Sequence, residues 1–125
     1  MKHRLAPILF VCALAGCSKI HDVRQFSVDA TESKTFKISP PVSEQKLKVA
    51  MTSDQPVNVW VVLKKDVPPG KEDFDPATMK TGVLASSQMT KDANLDVTVP
   101  AQEEYWIIVN GAIKKATGTI KIDSQ

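Results

Sequence analysis

Between residues 24 and 123 apolar and polar side chains alternate in short runs separated by turn residues, the pattern of antiparallel strands with one buried face. Phe26 and Val28 alternate with polar neighbours, and Asp29 to Ser33 reads as a turn. Phe36 and Ile38 then flank Lys37 before Pro40-Pro41 ends the strand. Leu47, Val49 and Met51 share the next face, and Ser53-Asp54-Gln55-Pro56 predicts a turn. Val57, Val59, Val61 and Leu63 line one face of the following segment, with Asn58, Trp60 and Val62 on the other, which makes it the candidate central strand. Val83 to Met89 is a weaker strand; Leu95, Val97 and Val99 mark a clearer one that stops at Pro100. Glu103 to Asn110 follows, Asn110-Gly111 reads as a turn, and Thr117 to Ile122 closes the domain with Ile120 and Ile122 inward. These segments predict an all-β, antiparallel sandwich of about eight strands over residues 24–125.

One interval breaks the rhythm. Lys64 to Gly82 carries Pro68-Pro69-Gly70, a charged Lys71-Glu72-Asp73 run and Asp75-Pro76. A connection this long usually has a function or a local helical turn, here expected near Pro76 to Met79.

The N-terminus follows another logic. Lys2, His3 and Arg4 precede an apolar run from Leu5 to Leu14, interrupted only by Pro7, with the dimensions of a secretory leader. A membrane-spanning helix needs about 20 apolar residues, so the run is too short to remain as one. It ends in Leu14-Ala15-Gly16-Cys17, followed by the polar Ser18, Lys19 and His21. In these residues the chain resembles bacterial lipoprotein precursors, whose lipobox reads Leu, a small residue, Gly or Ala, then Cys. The resemblance implies a signal peptide, including its helix, over residues 1–16, cleavage before Cys17, a diacylglyceryl group on its thiol and further acylation of its amine, with residues 17–23 as a lipidated tether. It also implies an outer-membrane destination in a Gram-negative host, because Ser18 and not Asp follows the cysteine. The alternative is an ordinary secretory signal with an incidental cysteine, and Cys12 reads as filler of the apolar run.

Removal of residues 1–16 takes Lys2 and Arg4 from the sixteen basic residues, leaving as many as the fourteen acidic ones. The balance offers no basic footprint for nucleic acid. A chain of roughly a hundred residues supports one domain. With Cys17 as its sole cysteine, the mature domain has no internal disulfide.

The residue types narrow the chemistry further. His3 lies in the leader and His21 in the tether, so a nucleophile in the domain has no histidine base, and zinc lacks its usual ligands. The expectation is accordingly no catalytic residue, no metal and no cofactor. Asp73 and Asp75, beside Glu72, are the one local carboxylate cluster, open to a calcium reading or to that of a solvated loop. A carboxylate-based hydrolase is the remote alternative.

Aromatic residues leave a sharper choice. If Tyr105, Ile107 and Val109 face the core, Trp106 points outward, as Trp60 does by the same count. The pair would form either an open platform for a sugar ring or a protein partner, or a cluster packed beneath the 64–82 connection with Phe74.

The order Phe36-Lys37-Ile38, Leu47-Lys48-Val49-Ala50-Met51-Thr52-Ser53, Pro56-Val57-Asn58-Val59-Trp60 and Glu104-Tyr105-Trp106-Ile107-Ile108-Val109 is similar to bacterial pre-peptidase C-terminal domains. That resemblance implies a jelly-roll-like sandwich of the kind appended to secreted enzymes. Members often carry acidic residues where this chain has Val57-Asn58-Val59-Trp60, which argues against a calcium role. The functional expectation is a lipid-anchored envelope protein that binds or supports structure without catalysis, with the membrane and an unidentified protein or carbohydrate as partners. The alternative is an accessory or inhibitor (immunity-type) subunit for an envelope enzyme or toxin.

Overall fold

The computed structural model describes residues 20–70 and 74–125, so the leader, Cys17 and the Lys71-Glu72-Asp73 run lie outside the described residues. Six strands follow in order: β1 (His21–Val28), β2 (Ser33–Ile38), β3 (Gln45–Leu63), β4 (Val83–Val99), β5 (Tyr105–Gly111) and β6 (Ala116–Ser124). All pairings are antiparallel, and the order β1-β6-β3-β5-β2, with β4 on the other side of β3, makes one sheet curled into a sandwich.

The eight predicted segments become six strands because two pairs of them are continuous. Leu47–Thr52 and Val57–Leu63 are the halves of β3; Val83–Met89 and Leu95–Val99 belong to β4. The first half of β3 pairs with β6 and the second with β5, so the strand passes from one layer to the other. Ser53-Asp54-Gln55-Pro56 is therefore a bend within a strand and not a turn. Here Thr52 pairs with Asp92 and Val57 with Thr90, so these four residues stand opposite Lys91 alone. Pro56 suits such a bulge because it has no N–H to give to a ladder. Asp54 fastens the corner by accepting the Thr117 N–H at 2.8 Å.

Period-two alternation does the rest. Leu47, Val49, Met51, Val57, Val59 and Val61 of β3 meet Phe26, Val28, Phe36, Leu95, Val97, Ile107, Val109, Ile120 and Ile122 in one buried cluster. Most of these side chains are β-branched, which favours extended backbone and packs well on a pleated surface.

Two boundaries move. Strand β1 begins at His21, inside the segment expected to be a tether, because His21 to Val28 pair residue by residue with Asp123 to Ala116. Gly111 closes strand β5 instead of making a turn; the chain reverses over residues 112–115. Its missing side chain is needed all the same, since a Cβ there would overlap the Asp29 carbonyl.

Candidate functional site

Beyond the second half of β3, Trp60 and Val62 lie on the side away from the core, and their β5 partners Ile108 and Trp106 lie beside them. The outward direction expected from the alternation is the one observed. The open platform is not: Trp60 and Trp106 are each 5% exposed. Val67, Phe74 and Met79, all from the 64–82 connection, pack against the two indoles, Val62 and Ile108 as a second hydrophobic cluster. The physical reason is the cost of leaving two indoles in water, about 25 cal/mol for each Å² of apolar surface, when a neighbouring connection brings a phenylalanine and a methionine within reach.

Local chemistry shapes this roof. Asp75 is the N-cap of a 3₁₀ turn over Pro76–Thr78; its carboxylate accepts the Ala77 N–H at 3.0 Å and proline occupies the first position. The turn buries Pro76 and sets Phe74 and Met79 on either side of it. Both ends of the connection are tied to the sheet. Leu63 N–H donates to the Gly82 carbonyl at 2.8 Å, and Lys64 N–H to that of Glu104 at 3.0 Å. Gly82 adopts a φ of +86°, and the Asp66 carboxylate fills the space where its side chain would stand.

The rim is charged. Trp106 Nε1–H donates to Glu104 Oε2 at 2.7 Å, Lys37 lies 4.8 Å from the Trp106 ring centre, and Lys65 is 3.6 Å from Glu103. A cation over an indole contributes about 0.5–1 kcal/mol at a surface site. Glu104 was within reach of sequence reasoning, because residues two apart on a strand share a face. Lys37 was not, since its place opposite Trp106 follows from the pairing of β2 with β5.

The other sequence candidates are not brought together. Asp75 serves the 3₁₀ turn, and Asp73 lies outside the described residues; among the latter no group of three or more His, Cys, Asp or Glu is placed to hold a metal ion. His21 is on β1 and contacts Asp123 through Nδ1. Cys17 lies outside the described residues.

Tyr105 is a residue that the pattern identified only as core. It is 1% exposed, and its hydroxyl has no hydrogen-bond partner among the described residues. Burial first, and the nearby Asp22 carboxylate second, push its pKa up to about 12, against a smaller lowering by Arg24.

No protein-family model matches the chain, and no curated protein matches it. Three solved structures resemble its fold. The pre-peptidase C-terminal domain of collagenase from Bacillus anthracis aligns at a TM-score of 0.61 and 7% identity, over 82% of this chain and 89% of that one. PliG from Aeromonas hydrophila, a periplasmic inhibitor of g-type lysozyme, aligns at 0.57 and 12% identity, over 84% and 86%. The Yersinia pseudotuberculosis-derived mitogen aligns at 0.56 and 6% identity, over 85% and 86%. At such identities what is shared is the β-sandwich fold.

Proposed function

We propose that the chain is a lipid-anchored protein of the cell envelope whose sandwich is a non-catalytic binding or structural module. The observation that carries this reading is the complete Leu14-Ala15-Gly16-Cys17 motif after a short apolar run. Two or three acyl chains on Cys17 would make the anchorage effectively permanent, where one alone is marginal. In a Gram-negative host, Ser18 directs the protein to the outer membrane with the domain in the periplasm. Recognition uses the roofed side of β3 and β5: Trp60 and Trp106 border the contact surface by pinning a long surface connection onto a rigid sheet, the usual arrangement of a binding loop. Lys37, Lys65 and Glu103 supply its charged rim.

A second reading, that of an inhibitor subunit for one envelope enzyme or toxin, draws on the likeness to PliG. Two measurements test the proposal. Acyl-chain labelling should be present in the native chain and absent from Cys17→Ser, and unchanged labelling in the variant would sink the anchor. Capture from envelope extracts should weaken in Lys37→Glu and Lys65→Glu, with the melting temperature lowered by no more than the few degrees that loss of the Trp106 and Glu103 contacts explains. Recovery of a single stoichiometric enzyme would favour the inhibitor reading over a general structural module.

A further inference from the structure

The geometry points to a second, weaker membrane contact: the loop Ser39–Glu44, led by Val42, rests on the lipid surface beside the anchor. The inference deepens the proposed anchorage and rests on Cys17 carrying lipid.

The first consideration is reach. Strand β1 starts at His21, so only residues 18–20 separate it from Cys17. Four residue steps span at most about 14 Å when fully extended, whereas the eight residues of β1 run for about 26 Å. The tether is thus shorter than the strand that it holds, and the end of the sandwich where β1 begins stays near the bilayer.

The second consideration is what that end carries. Ile20 and Ser124 bond through backbone and side chain, and the Gln125 N–H donates to the Lys46 carbonyl, which brings the starts of β1 and β3 together with the end of β6. The loop that leads into β3 is Ser39-Pro40-Pro41-Val42-Ser43-Glu44. The Gln102 N–H donates to the Pro41 carbonyl at 2.7 Å, which ties the loop at Pro41 to the segment between β4 and β5. At the loop's tip Val42 is 89% exposed, the most exposed large apolar side chain among the described residues. An isolated valine in water is ordinary. One on a proline-stiffened tip, at the end held within a short tether of a bilayer, has apolar surface available to bury. Ile113, just beyond Gly111 at the end of β5, is 58% exposed and lies at the opposite end of the sandwich from the start of β1.

The test uses the full-length lipidated protein, purified and reconstituted in phosphatidylethanolamine–phosphatidylglycerol vesicles, with a cysteine introduced by Val42→Cys or Ile113→Cys and labelled with a polarity-sensitive fluorophore. The thioether of Cys17 would not react. Lipids spin-labelled near the headgroup should quench the probe at position 42 at least threefold more than that at 113, and a ten-residue Gly-Ser insertion after Ser18 should abolish the difference. Equal quenching at the two positions, in protein whose mass shows the acyl chains, would overturn the contact and leave the anchor standing. A mass lacking acyl chains at Cys17 would overturn both.

Discussion

The described residues form two hydrophobic clusters, on opposite faces of the same strands, and they are built differently. The inner one lies between the layers and draws on all six strands; its residues are mostly aliphatic and follow the period of two, with polar neighbours except where β3 and β5 also carry the outer cluster. The outer one takes Trp60 and Val62 from β3 and Trp106 and Ile108 from β5, and is closed by Val67, Phe74 and Met79 from a connection with little regular structure. The inner cluster needs only correct strand pairing. The outer one also needs a long connection to settle in one place, and large flat side chains are what make that worth its entropy. A surface that looks like a binding platform in a strand pattern is thus a second core once its connection is placed.

The largest effect should separate a packed outer cluster from an open one. Trp60→Ala and Trp106→Ala should each cost about 3–5 kcal/mol in chemical denaturation, as for a core aromatic. A loss below about 1 kcal/mol in both would mean that the indoles contribute little packing. Ile107→Ala, inside the inner cluster on the same strand as Trp106, should cost about 2–5 kcal/mol and lower the melting temperature accordingly. If it proved far more damaging than either tryptophan change, the two clusters would not be comparable cores.

Gly111→Ala tests the close approach of the end of β5 to the turn after β1. The added methyl would meet the Asp29 carbonyl, a backbone group with little room to retreat, and overpacking of this kind costs about 1–3 kcal/mol. A neutral outcome in thermal melts would show that the 29–32 turn yields.

The smallest effect concerns Tyr105 and appears only in alkali. Its pKa is raised in the folded protein to about 12, from an ordinary value near 10. The folded state therefore keeps the phenolic proton at a pH where the unfolded chain loses it, and stability should fall as pH rises from about 10 through about 12. Tyr105→Phe should lose that component of the alkaline decline. At neutral pH it should be neutral or slightly stabilising, because it removes a buried hydroxyl with no hydrogen-bond partner among the described residues. Denaturation midpoints of the two proteins across this range would show it; identical alkaline slopes would contradict it.

How much of this was legible in the sequence follows from which interactions are local. Alternation along Leu47–Met51, Val57–Leu63 and Tyr105–Val109 assigns the inward faces, because side-chain direction along a strand depends only on parity. Proline and the polar Ser53-Asp54-Gln55 run imitate a turn, and their use as a bend depends on β4 continuing alongside. The outward direction of both tryptophans was local and legible. Their covering depended on where Phe74 and Met79 come to rest, which the 3₁₀ turn and the ties at Leu63 and Lys64 decide. Neither the tryptophan pattern nor the charge balance carries the seat of Lys37 on Trp106, which arises from pairing strands distant in sequence.

The claim that the outer cluster is a sealed second core is tested most directly by tryptophan fluorescence, since Trp60 and Trp106 are the two tryptophans in the chain. The native protein should emit at the short wavelengths of apolar surroundings and resist quenching by iodide and acrylamide until it is unfolded, when emission should shift to the red and quenching rise several-fold. Native emission already at the wavelength of the unfolded chain, with equal quenching in both states, would mean that the indoles stand open to solvent and would contradict the account.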